Sequence, residues 1–162
     1  MKTAIVYYSM SGNTKMIAER IAKELSADMI ELIPEKAYPD KGMRKFLWGG
    51  FAAVMSEKPK LYPYSFDAQN YDTILIGSPV WASNVAPPIR TFVEENKDSL
   101  KEKRFGVFLC YAGGGADKAL EKLKKLLNIN RFISELVLVD PKEKSAEEYK
   151  DQVHTFCESV KY

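Results

Sequence analysis

The chain has 162 residues and a formal net charge of +2, from 24 Lys and Arg against 22 Asp and Glu. That length suits one domain with a sizeable core, and 46% hydrophobic with 28% charged residues is too apolar for disorder and too ordinary for a fibre or repeat. So nearly balanced a charge speaks against a nucleic-acid or acidic-membrane surface.

Ala4–Tyr8 is a β-branched and aromatic run that reads as a strand, ending in the turn-like Ser9-Met10-Ser11-Gly12-Asn13-Thr14. Thr14–Leu25 reads as a helix, because Met16, Ile17, Ile21, Ala22 and Leu25 recur at the helical period. Asp28–Ile33 is a second strand, stopped by Pro34. The segment 34–67 is longer than a plain crossover. Within it, Met43, Phe46, Leu47, Phe51, Val54 and Met55 share one helical side, which Gly49-Gly50 weakens. This predicts a crossover helix over Met43–Met55 burying an apolar face; the alternative is that Trp48 or a neighbouring aromatic covers a ligand site. Tyr71–Ser78, Arg104–Tyr111 and Phe132–Val139 read as three further strands, and Ala86–Asn96, Gly115–Leu127 and Ser145–Val160 as helices. Strands alternating with helices give an α/β fold with a parallel sheet covered on both faces, in a single domain over residues 1–162.

The longest uncharged stretch, Thr73–Ile89, holds three prolines, Ser78, Ser83 and Asn84, and so does not span a membrane. Ala4–Tyr8 is too short for the apolar part of a signal peptide. Cys110 and Cys157 form no CxxC and join no His cluster, so they read as reduced thiols of a cytoplasmic protein, with no metal site. His154, the one histidine, falls in the last helix and is assigned no catalysis. Arg90, near the second loop, reads as a helix-surface residue, with attraction of an anionic substrate or pyridine nucleotide as the alternative.

In an open parallel sheet, ligands bind at the carboxyl ends of strands where the winding reverses. The loops after the first, third and fourth strands therefore matter most. Ser9–Thr14 places three hydroxyls, an amide and a glycine at a helix N-terminus, where free N–H groups and the dipole hold a phosphate without Lys or Arg. The plainer alternative is that Ser11 or Asn13 is only a helix cap. Neither GxxxxGK[ST] nor GxGxxG is present, which removes the nucleotide-hydrolysing and dinucleotide-binding loops. In the second loop, Ser78–Pro88, an exposed Trp81 is costly unless it stacks on something, although it could also cap the edge of the core. The third loop, Cys110–Ala116, offers three glycines whose bare amides leave room for a flat ring, or simply form a turn.

These loops resemble those of the flavodoxin family. Ser9-Met10-Ser11-Gly12-Asn13-Thr14 is similar to its hydroxyl-x-hydroxyl-Gly-Asn-Thr phosphate loop, and Gly77-Ser78-Pro79-Val80-Trp81 with Ala86-Pro87-Pro88 to the second flavin loop of its close relatives. The resemblance covers essentially the whole chain. It implies a flavodoxin-like three-layer, doubly wound sandwich whose five parallel strands run in the order 2-1-3-4-5, of the short-chain type. It also implies non-covalent FMN. Ser9, Ser11, Gly12, Asn13 and Thr14 would hold the phosphate, and Met10 of the same loop would also belong to the FMN site. Pro79, Val80, Trp81, Ala82, Ser83 and Asn84 would border the ring, with Trp81 beside it. Cys110, Tyr111, Ala112, Gly113 and Gly114 would meet its pyrimidine edge.

Two departures stand out. Electron-carrying flavodoxins are usually strongly acidic, yet residues 78–89 and 110–116 hold no Asp or Glu. Many members also carry an Asp and a Tyr in the third loop, where this chain has only Ala and Gly after Tyr111; residues 38–55 are the candidate cover for that ring face. The resemblance implies an electron carrier working between a reductase and an acceptor protein. The alternative is a reductase that takes hydride from NAD(P)H and passes it to a quinone or similar small molecule. No side chain need act as a catalytic acid or base in the carrier.

Overall fold

The computed structural model describes residues 2–39 and 56–162. The helix expected over Met43–Met55, Trp48 within it, and all but Tyr38 and Pro39 of the proposed cover lie outside the described residues.

Five strands make the parallel sheet: β1 (Thr3–Tyr7), β2 (Asp28–Glu31), β3 (Thr73–Trp81), β5 (Arg104–Tyr111) and β6 (Ser134–Val139). Their order is β2-β1-β3-β5-β6. A two-residue strand, β4 (Asn84–Val85), turns back antiparallel on the end of β3. With β4 set aside, this is the expected 2-1-3-4-5 order, and β5 has the expected bounds.

Strand side chains alternate between two cores, as a pleat of period two requires. Ala4, Val6, Ile74, Ile76, Val107 and Leu109 enter one core with Ile89, Phe92 and Val93 of α2 (Pro87–Glu95) and Ala119, Leu120 and Leu123 of α3 (Ala116–Leu127). Ile5, Tyr7, Leu75, Phe108 and Cys110 enter the other with Ile17, Ala18 and Ile21 of α1 (Asn13–Leu25) and Tyr149, Val153, Phe156 and Cys157 of α4 (Glu147–Lys161). Three layers result. Ile17 and Ile21 are fully buried, and each such side chain contributes about 1.5–3 kcal/mol relative to exposure.

Two expectations are corrected. Tyr71–Ser78 was the expected third strand; β3 instead runs on through Pro79 to Trp81 and continues as a hairpin. Pro79 fits because its neighbour Cys110 is reached on the other side of the ladder from its missing N–H. The fifth strand begins at Ser134 rather than Phe132, whose side chain packs into the first core instead. The long crossover 34–67 is pinned at its neck by an antiparallel bridge between Pro34 and Leu61.

Candidate functional site

β1 lies between β2 and β3, so the connections leaving β1 and β3 diverge to opposite sides of the sheet. At this switch point the carboxyl ends of β1, β3 and β5 enclose a hollow of about 270 Å³. That is below the roughly 300–1,000 Å³ of sites that enclose a whole small molecule. A larger organic ligand would leave part of itself in solvent.

The first loop brings Ser9, Met10, Ser11, Asn13 and Thr14 to the hollow. Gly12 is the residue before α1, at φ +92°, and no side chain caps that helix. The plain capping alternative for Ser11 and Asn13 is therefore not what this helix start uses. The amide oxygen of Asn13 instead accepts a hydrogen bond from the Lys142 N–H at 2.9 Å. First-turn N–H groups of a helix have no partner inside it, and Asn13 and Thr14 of the first turn of α1 line the hollow. Ser9 Oγ is buried and has no hydrogen-bond partner among the described residues. An orphaned hydroxyl beside an uncapped helix N-terminus is what a phosphate oxygen would satisfy, so these residues fit a phosphate-bearing ligand.

The second loop contributes Pro79, Val80, Trp81 and Ala82. Ala82 and Ser83 both take left-handed backbone, at φ +47° and +59°, the geometry of a tight two-residue hairpin. Asn84 Nδ2 donates to the Ala82 carbonyl at 2.7 Å and ties the turn down. Ser78 Oγ, fully buried, accepts from the Ala86 N–H at 2.8 Å and so fixes the start of α2. Ser83 and Asn84 thus support the turn and do not line the hollow.

Trp81 is buried, not exposed as expected of a stacking platform. It lines the hollow and also caps the first core, packed edge-on by Tyr8 at 5.6 Å and by Tyr38 at 5.3 Å between ring centroids. Tyr38 Oη donates to Glu57 at 3.0 Å. Tyr38 thus braces the indole, and it is not among the residues lining the hollow.

From the third loop come Cys110, Tyr111, Ala112, Gly113 and Gly114. A Cβ on Gly113 or Gly114 would meet nothing within 4 Å, so bare backbone faces open space there. Burial pushes the Cys110 thiol up to about 12, while a hydrogen bond from Thr14 works the other way. Cys110 therefore stays a neutral thiol at pH 7. Cys157 is likewise a buried free thiol. His154 lies outside the hollow, with Nδ1 2.6 Å from Glu24.

One lining residue escaped the sequence: Asp140, in the loop after β6, the one carboxylate on the hollow among the described residues. Its neighbour Lys142 reaches the first loop directly, its Nζ donating to the Ser11 carbonyl at 2.8 Å. The available signal was positional, since β6 also ends at the carboxyl edge of the sheet.

A model of the family described as Flavodoxin matches residues 2–158. Among solved structures, the chain is similar to a flavoprotein from Lactobacillus acidophilus NCFM in complex with FMN, at 27% identity over 92% of this chain and 98% of that one, with a TM-score of 0.71. It shares the fold of oxidised Flavodoxin 1 from Bacillus cereus, at 17% identity over 100% and 99% of the two chains, with a TM-score of 0.56. It likewise shares that of the two-electron reduced flavodoxin of Megasphaera elsdenii, at 20% identity over 84% and 85%, with a TM-score of 0.52.

Proposed function

Because this chain belongs to the flavodoxin family, we propose that it binds FMN in the hollow and passes electrons between redox partner proteins. The observation that carries the reading is the pairing of an orphaned Ser9 hydroxyl and an uncapped α1 N-terminus with an apolar wall of Val80 and Trp81 in the same hollow. A phosphate and a flat ring are the two ends of one ligand. Similarity to the flavoprotein bound to FMN supports the same choice.

When bound, FMN supplies one- and two-electron redox chemistry. The residues of this chain bind and orient it. Ser9, Ser11, Gly12, Asn13 and Thr14 take the phosphate through main-chain N–H groups and hydroxyls. Met10 and residues 79–82 border the ring, Ser83 and Asn84 hold the turn that carries them, and Cys110–Gly114 present main-chain amides to its polar edge. Cys110 stays protonated and contributes packing, not proton transfer. The small hollow leaves part of the ligand in solvent, which is enough for electron exchange with a docked protein.

The whole chain serves as one domain in this reading, the 34–67 crossover included. Among the described residues no helix is long and apolar enough to cross a membrane, and the buried free thiols Cys110 and Cys157 suit the reducing cytoplasm.

The test is an anaerobic absorbance titration of the FMN-loaded protein, with NADPH, with NADH and separately with dithionite. The carrier leaves its flavin oxidised in either nicotinamide and is reduced by dithionite. Direct bleaching by NADPH or NADH in one two-electron step overturns the carrier and makes the protein an NAD(P)H-dependent reductase of quinones or other small acceptors.

A further inference from the structure

The loop after β6 docks onto the loop after β1. Asp140 takes left-handed backbone at φ +40°, and Pro141–Glu143 make a single 3-10 turn. That turn brings Lys142 against three consecutive residues of the first loop. Its main-chain N–H donates to Asn13 Oδ1 at 2.9 Å, and its Nζ donates to the Ser11 carbonyl at 2.8 Å. The same Nζ stands 3.3 Å from where a Cβ on Gly12 would be. Among the described residues Lys142 forms no ion pair. Its charge is thus spent on no carboxylate and is held beside an uncapped helix N-terminus.

We propose that Lys142 is a specificity-determining residue for the ligand's phosphate: it ties down the first loop and adds a full positive charge to the α1 dipole. The inference rests on the FMN reading above and extends it. A helix N-terminus carries about half a positive charge, and a phosphate monoester carries close to two negative charges at pH 7. Without another cation the balance stays negative, and Asp140 on the same hollow adds to the deficit. Lys142, which does not itself line the hollow, offsets part of that deficit from a sequence-distant turn. Ser9 Oγ, buried and unpartnered on the loop that Lys142 holds, is an independent sign that this loop awaits an acceptor-rich group.

The test uses protein freed of flavin and titrated by flavin fluorescence with FMN and with riboflavin, at low and at high salt. Wild type is compared with Lys142→Gln and Lys142→Arg, both of which keep the main-chain bond to Asn13. Lys142→Gln is expected to lose about fivefold in FMN affinity, the scale of an exposed charge pair, with riboflavin affinity unchanged and the salt dependence of FMN binding flattened. Lys142→Arg is expected to stay within about twofold of wild type. An unchanged ratio of FMN to riboflavin affinity in Lys142→Gln, whether both flavins weaken or neither does, overturns the assignment while leaving the FMN reading intact. Failure of wild type to bind either flavin overturns the FMN reading itself, and this assignment with it.

Discussion

Tyr38 stands edge-on to Trp81, their ring centroids 5.3 Å apart and their planes at 77°. Tyr8 meets Tyr38 at 6.2 Å and 77°, so three aromatic rings from three segments lock one another at the rim of the hollow. Edge-to-face pairs add about 0.5–1.5 kcal/mol beyond the area they bury. Tyr38→Phe, which gives up only the bond to Glu57, is expected to cost about 1 kcal/mol. Tyr38→Ala, which leaves a void beside the indole, is expected to cost about 2–4 kcal/mol. Urea unfolding measures both, and an Ala variant no less stable than the Phe variant would show that the ring contact contributes nothing.

Trp81 serves the core and the wall of the hollow at once. Trp81→Ala is therefore expected to weaken FMN binding by about 1–3 kcal/mol and to lower stability as well. A fluorescence titration in which FMN affinity is unchanged while the protein is less stable would confine Trp81 to the core.

The glycines of the third loop separate by role. Gly115 sits at φ +89°, and a Cβ there would come within 3.0 Å of Ser83 Cα, in the neighbouring hairpin. Gly115→Ala is expected to destabilise the fold by about 1–3 kcal/mol through strained backbone and that clash. Gly113→Ala meets nothing and is expected to change stability by less than about 0.5 kcal/mol. Thermal melts of the two variants compare them directly; equal melting temperatures would refute the distinction.

Alkaline pH provides a further check. Burial raises the Cys110 thiol from the ordinary 9.0 to about 12, and burial likewise raises Cys157 to about 12. The phenols of Tyr7, Tyr8 and Tyr38 are raised by burial too. Each group binds its proton more tightly folded than unfolded, so its contribution is fully present below the unfolded value and is lost as pH rises toward the folded one. Stability is expected to hold through neutral pH and fall from about pH 9 upward, each thiol adding at most about 1.4 kcal/mol per pH unit. Denaturation midpoints across that range test it, and a flat profile to pH 11 would contradict the buried, protonated thiols.

The layers of this fold are legible because their signal is local. β5 is a run of apolar and aromatic residues between charged Arg104 and the third loop, and its bounds follow from composition alone. The helices show their apolar stripes, and the first loop gathers its hydroxyls, amide and glycine in six adjacent residues. The β3–β4 hairpin hides because its turn is Ala82-Ser83. Left-handed backbone usually advertises itself as Asn-Gly, and here Asn84 props up the turn from outside instead. The burial of Trp81 hides for another reason: it depends on Tyr38, a residue 43 positions away in the sequence that packs edge-on to the indole. Asp140 and Lys142 belong to no motif. Their place at the first loop arises from sheet order, and pattern reading does not extend across such a separation.

The most direct test of the account is a crystal structure of the protein grown with saturating FMN. The account predicts the phosphate within hydrogen-bond distance of the N–H groups of residues 11–14 and of Ser9 Oγ, with the ring between residues 79–82 and 110–114. A phosphate seated on any other loop, or no flavin in the hollow at saturation, would contradict it.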